Sequence, residues 1–308
     1  MVTRIFTHSD CLEHDTPLGH PERADRLRAI EKVLSHDIFN PLERFEAPLA
    51  DEDAILLAHP PEYRQRVKQA IPAEGRAKID EDTSVSPKSM DAARRAIGGA
   101  TAAVDAVFNR ECDNAFVATR PPGHHAEKNR AMGFCLFNNA AIAARHAQQE
   151  HGAERVAIID WDVHHGNGTQ DIFWDDPSVL YCSTHEMPLY PGTGAESETG
   201  AGNICNVPLR RGDGGVAFRD AMDSVILPRL VQFSPDLIII SAGFDAHYRD
   251  PLAELTFTED DFSWATAELM DKAARFCSNR IVSVLEGGYD LEGLALSVAA
   301  HVGRLMKG

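Results

Sequence analysis

Between Ile158 and Thr169 an apolar run gives way to Asp160-Trp161-Asp162-Val163-His164-His165-Gly166-Asn167-Gly168-Thr169. Asp160, Asp162 and His164 alternate, so in extended backbone three groups able to bind a metal project to one side. Elsewhere, Arg120-Pro121-Pro122-Gly123-His124-His125 sets two adjacent histidines in a proline-stiffened turn. Gly243-Phe244-Asp245-Ala246-His247 and Glu286-Gly287-Gly288-Tyr289 add a carboxylate and a phenol. Asp162, His164 and Asp245 together make a three-ligand metal site with room for water and substrate. Zinc suits that set, and iron(II) or cobalt(II) would also fit it. One histidine could exchange a proton with water and leaving amine, the other could supply charge, and each needs a partner. Asp160 is a candidate partner for one and Asn167 for the other. Tyr289 would donate to the oxyanion of a tetrahedral intermediate. The set describes metal-assisted hydrolysis of an amide.

These groups all follow apolar runs. Ala115–Ala118 precedes the histidine pair, and Val156–Ile159 precedes Asp160. Asp236–Ser241 precedes Asp245, and Ile281–Leu285 precedes Glu286. Such continuously apolar runs read as strands of a parallel sheet buried on both faces. Further strands are expected at Val2–Thr7, Val179–Thr184 and, at an edge, Ile204–Pro208. Helical patterns cover about Glu22–Ser35, Pro61 onward, Lys88–Phe108, Phe134–Glu150, Gly215–Phe233, Glu259–Cys277 with Thr258 as cap, and the C-terminal stretch to Met306. Alternating strands and helices define an α/β fold. Functional groups then collect beyond the carboxyl ends of the strands. With no linker, repeat or low-complexity tract, residues 1–308 read as one domain.

Composition narrows the function classes. The net charge of −17 argues against nucleic-acid binding through a general basic surface. No apolar run approaches the roughly 18 residues of a membrane span, and the N-terminal residues do not resemble a secretion signal, so a cytoplasmic location is expected. The six cysteines form no CxxC pair and read as buried thiols. A loop-rich face is compatible with a homo-oligomer.

The motifs quoted above, with Ala126, Gly133-Phe134-Cys135 and Gln170, resemble the zinc-dependent histone deacetylase family. The match runs from His20-Pro21-Glu22-Arg23 to the last helix. Trp161, Asn167 and Glu286 are similar to the choices of its class II branch and bacterial relatives. The resemblance implies a three-layer α/β/α sandwich around a mostly parallel sheet, the arginase–deacetylase fold. It implies zinc on Asp162, His164 and Asp245. It makes His125 the general base and acid, His124 its electrostatic companion backed by Asp160, and Tyr289 the residue polarising the acyl carbonyl. Gly133, Phe134 and Tyr190 would wall a narrow channel, with Leu252 at its rim and Arg23 lining the acetate exit. Potassium is implied near the zinc at Asp160, Asp162, His164, Ser183 and Thr184, and a second ion near Phe173, Asp176, Val179 and Phe218.

Asn167 stands where class I members carry aspartate, so the partner of His125 is neutral. The expected substrate is an acetylated lysine side chain or a small N-acetylated amine such as an acetylpolyamine. Leu252 at the rim weakens the polyamine reading, while Asp80, Glu81 and Asp82 on a rim loop keep it in play. The alternatives are a non-catalytic acyl-lysine binding protein and a two-metal ureohydrolase. The second leaves the histidine pair and Tyr289 unexplained. His165 carries no assigned role beyond packing.

Overall fold

The computed structural model describes residues 1–307. Its strands are β1 (Thr3–Thr7), β2 (Glu43–Glu46), β3 (Ala77–Lys78), β4 (Ser84–Val85), β5 (Asn114–Val117), β6 (Val156–Asp160), β7 (Val179–Glu186), β8 (Ile204–Leu209), β9 (Leu237–Ala242) and β10 (Ile281–Leu285). Its α-helices are α1 (Asp25–Leu34), α2 (Pro61–Ala70), α3 (Ser89–Phe108), α4 (Asn139–His151), α5 (Asn167–Phe173), α6 (Gly215–Ala221), α7 (Leu227–Phe233), α8 (Glu259–Phe276) and α9 (Leu291–Lys307).

Eight strands form one sheet in the order β2-β1-β5-β10-β9-β6-β7-β8. Every pairing in it is parallel. Alternation along the strands divides the core in two. Ile238 and Ile240 of β9 face α1, α6, α7, α8 and α9, and Leu237 and Ile239 face α2, α3 and α4. Helices on both faces make the three-layer α/β/α sandwich, which explains why β6, β9 and β10 are buried throughout.

Four elements depart from expectation. Strand β2, Glu-Arg-Phe-Glu, carries no apolar alternation because it is a fully exposed edge, where charge discourages pairing with another chain. Helix α4 starts at Asn139, not Phe134, because Gly133 and Phe134 have φ of 57° and 68°. The Asn138 side chain then caps it, accepting from Ala141 N at 2.9 Å. The expected 215–233 helix is interrupted by a π-helical segment, Met222–Ile226. The polar loop expected at 79–87 contains half of a small antiparallel hairpin, β3 with β4. Thr258 does cap α8, in a capping box with Asp261.

Candidate active site

Four neighbouring strands, β5, β10, β9 and β6, release their chains at one edge of the sheet. That adjacency brings the four polar motifs together. Asp162, His164 and Asp245 are buried, and one ligand atom from each lies within 4.8 Å of the others. His164 Nδ1 stands 3.1 Å from Asp162 Oδ1 and 3.2 Å from Asp245 Oδ2. Asp162 Oδ2 accepts from Gly287 N at 2.8 Å, and Asp245 Oδ1 accepts from Val163 N at 2.9 Å. Each carboxylate thus directs one oxygen at the histidine and has the other fixed by backbone; Asp162 Oδ1 also accepts from His164 N at 2.9 Å.

Two observations fit this trio to a metal ion. Burial opposes charge on His164, yet its hydrogen bonds to Asp162 and Asp245 raise its pKa to about 10, so the two carboxylates favour positive charge at the point where they meet. The trio is also cradled by glycines. A Cβ on Gly287 would lie 2.0 Å from Asp245 Oδ2, and one on Gly243 would lie 2.1 Å from Asp162 Oδ2. Two acids and an imidazole form a three-ligand set that leaves a coordination position open.

The histidines lie side by side with different electrostatics. His124 Nδ1 is 3.0 Å from Asp160 Oδ2, which also accepts from Tyr181 Oη at 3.0 Å. Burial works against protonating His124, but Asp162 and Asp160 raise its pKa well above the usual value. His125 Nδ1 is 2.8 Å from Asn167 Oδ1. Burial, then His124 and His164, hold His125 well below the usual imidazole pKa. An amide oxygen can only accept, so the His125 proton sits on Nδ1 and the Nε2 lone pair is free. Asn167 in turn donates to Glu127 Oε1 at 2.7 Å, placing a carboxylate one step behind the neutral partner.

A cleft of about 200 Å3 is lined by His125, His164 and Tyr289 together with Gly133, Phe134, Leu189, Tyr190, Leu252 and Asp82. All four expected channel residues are there. The Phe134 and Tyr289 rings meet edge-on at 5.9 Å. Burial, reinforced by Asp245, keeps the Tyr289 hydroxyl protonated far above its ordinary range. Tyr289 N donates to Asp250 Oδ2 at 2.7 Å, which fixes the turn carrying the phenol.

Arg23 does not join this cluster. Its side chain is 47% exposed and faces Asp25. The buried arginine of that segment is Arg26, in the first turn of α1 and four residues after Glu22. It donates from Nε to Gly288 O at 2.7 Å and lies 5.0 Å from the Tyr289 ring centroid. A Glu–x3–Arg spacing on a helix could have flagged it. Glu286 was legible only as a branch marker. In the structure its Oε2 accepts from Gly123 N at 2.7 Å and His124 N at 3.1 Å, holding the histidine turn, and burial raises its pKa to about 7. Glu127 and Tyr181 gave no signal in the sequence.

Of the expected potassium positions, Ser183 pairs in register with Asp160, and buried Thr184 Oγ1 has no hydrogen-bond partner among the described residues. The second expected position differs. The carbonyls of Phe173, Asp176 and Val179 do converge, but on Asn203 Nδ2, at 2.8, 3.0 and 2.9 Å. The Phe218 side chain packs on the opposite face of the sheet from that of Phe173. His165 is a packed histidine, bonded to Thr193 Oγ1 at 2.7 Å and Gln170 Oε1 at 3.1 Å.

A parallel α/β/α sandwich with an acid–acid–histidine trio, paired histidines and a tyrosine at one sheet edge defines a class of amide hydrolases. A family model described as the histone deacetylase domain matches residues 20–305. A probable deacetylase of Archaeoglobus fulgidus is 41% identical over 303 residues, covering 95% of this chain and 83% of that protein. A histone deacetylase-like amidohydrolase of Pseudomonas aeruginosa is 42% identical over 277 residues, covering 88% and 73%. The crystal structure of the HDA15 HD domain superposes with a TM-score of 0.94 at 38% identity, covering 99% of this chain and 88% of that one. The chain belongs to the histone deacetylase family. Among its described residues no helix is long and apolar enough to cross a membrane.

Proposed function

We propose that the protein is a zinc-dependent deacylase that hydrolyses the amide of an acetylated lysine side chain. The observation that carries this reading is the single narrow cleft onto which His125, His164 and Tyr289 all open between apolar walls. Asp162, His164 and Asp245 would hold the ion, which when bound lowers the pKa of water and polarises the acyl carbonyl. His125, neutral and with Nε2 free, takes a proton from the attacking water and returns it to the departing amine. The C–N bond breaks, leaving acetate and a free amine. Tyr289 donates its hydroxyl proton in a hydrogen bond to the acyl oxygen as that atom gains charge. His124, kept cationic by Asp162 and Asp160, adds a positive field beside the same oxygen.

Phe134, Leu189 and Leu252 exclude water along the aliphatic stem of the substrate. The arginine beside the exit for the acid product is better read as Arg26 than as Arg23, since Arg26 is buried against Tyr289. A potassium ion at Asp160, Ser183 and Thr184 is supported by the unpartnered Thr184 hydroxyl. Six unpaired, buried cysteines suit a reducing compartment, which supports a cytoplasmic location.

Asp82 favours a second reading. A carboxylate in the cleft lining would attract the distant ammonium of a small acetylated polyamine. Its Oδ1 already accepts from Gly133 N at 3.1 Å and Thr83 Oγ1 at 2.8 Å, which leaves less of its charge for such a role. A panel of acetyl-lysine peptides and acetylpolyamines, assayed with and without chelator, tests both. Chelator-sensitive release of acetate from peptides is expected. Turnover of polyamines alone selects the second reading, and no turnover of either by metal-loaded protein refutes deacylation.

A further inference from the structure

Helices α3 and α4 pack side by side on one face of the sheet, and near their C-terminal ends three ligand-type side chains meet. His146 Nε2 and His151 Nε2 each lie 2.7 Å from the same atom, Asp105 Oδ1. One ligand atom from each of the three lies within 4.8 Å of the others. We propose that Asp105, His146 and His151 form a second divalent-metal site, suited to zinc or a similar transition ion, that clips α3 to α4.

The donor set is two imidazoles and one carboxylate, which leaves a fourth position for water. Among the described residues no arginine or lysine pairs with Asp105; its ion-pair partners are the two histidines. Neither ring has another hydrogen-bond partner there. The orientation of His151 is set from outside the trio. Phe108 stacks on it with centroids 4.6 Å apart and planes at 11°, and Arg280 lies 4.7 Å from the Phe108 centroid. The ligands of a tetrahedral ion at about 2.0–2.1 Å stand roughly 3.3 Å apart. The observed 2.7 Å contacts therefore need to open by only about half an ångström. The side chains are free to do so, being 46%, 18% and 16% exposed for Asp105, His146 and His151.

This site is separate from the catalytic trio. Helix α4 starts at Asn139, whose side chain donates to Pro121 O behind the histidine turn at 3.2 Å. His151 lies twelve residues further on, about 18 Å along the helix axis. In sequence His146 and His151 are five apart, a spacing that does not share a helix face, so tertiary packing alone unites them with Asp105.

The test is zinc stoichiometry by equilibrium dialysis and elemental analysis on the chelator-stripped full chain. Wild type is expected to hold two ions. His151→Gln and Asp105→Asn should each hold one, and Asp245→Ala should hold the other one. Zinc should raise the Tm of Asp245→Ala by several degrees but not that of Asp245→Ala/His151→Gln. Turnover of zinc-loaded His151→Gln should stay within about twofold of wild type. Saturation of wild type at one ion, two ions in both His151→Gln and His146→Gln, or no bound zinc in folded Asp245→Ala would overturn the proposal.

Discussion

Replacing Glu22 by glutamine probes charge with almost no change of shape. Glu22 is fully buried and faces three basic groups. It takes two bonds from Arg120, that from Nη2 at 2.6 Å, and one from Arg26 Nη1 at 3.3 Å, with His14 Nε2 at 3.7 Å. Burial alone would favour the neutral acid, but Arg120 wins and holds the Glu22 pKa at about 2. Glutamine leaves two buried guanidinium groups facing no carboxylate. Removing one partner of a buried ion pair costs about 3–5 kcal/mol. For a domain of this size each kcal/mol shifts Tm by roughly 2–4 °C, so a fall of about 6–20 °C is expected. Arg120 enters the histidine turn and Arg26 holds Gly288 O, so turnover should fall as well. Calorimetry on the metal-loaded protein reads the first effect. Because the folded pKa is depressed, the stabilisation is complete above pH about 4.5 and fades as pH falls toward 2, a limb the variant should lack. Glu22→Gln/Arg120→Met, which removes one of the stranded charges, should recover part of the loss. A Tm within about 2 °C of wild type would refute the reasoning.

Asp162→Ala and Asp245→Ala should each lose the catalytic ion; metal analysis showing it retained would remove that residue from the trio. Tyr289→Phe should keep its metal yet lose about 100-fold in kcat, the scale of one oxyanion donor; near-normal kcat would exclude the phenol from the chemistry. His125→Ala should be far more damaging at neutral pH than His124→Asn, and steady-state rates in the reverse order would exchange their roles. Burial holds His14, His59 and His185 near pKa 4 and His165 and His301 near 3. The unfolded chain therefore binds more protons as pH falls below about 6.5, and stability drops. Glu286 and Asp250, raised to about 7, act in the opposite sense. His125 is held low as well, while His124 and His164 are held high and oppose the trend mainly near pH 7. The lowered histidines therefore dominate once pH falls below about 6. Thermal melts should fall between about pH 6 and 5, and a flat profile there would contradict this balance.

The centre of the molecule was legible because its signals are local. Apolar runs ending in Asp160, Asp245 and Glu286 mark strands buried on both faces, and parallel strands discharge their polar residues at one edge. Asp162, His164 and Asp245 needed no more than that. What failed to show depends on surroundings. Strand β2 is charged because it is an edge. The Cys135-Leu136-Phe137 run reads as helix, yet it packs as an irregular segment after two residues of positive φ. Arg23 and Arg26 are chemically alike, and only the helix's orientation decides which one is buried. Glu127, which takes a bond from Asn167, and Tyr181, which donates to Asp160, lie 40 and 21 residues from those partners.

The strand order carries a consequence for synthesis. The last strand, β10, is inserted between β5 and β9 in the middle of the sheet. Until residue 285 has emerged, β2-β1-β5 and β9-β6-β7-β8 have no strand to join them. Before that point the chain can build at most two half-sheets, each ending in an unpaired, apolar strand, β5 on one and β9 on the other. Such edges are open to pairing with other chains, and the closing contacts span some 170 residues of sequence. Glu286 and Tyr289 follow directly on β10, so the catalytic centre is completed by the same late insertion that seals the sheet.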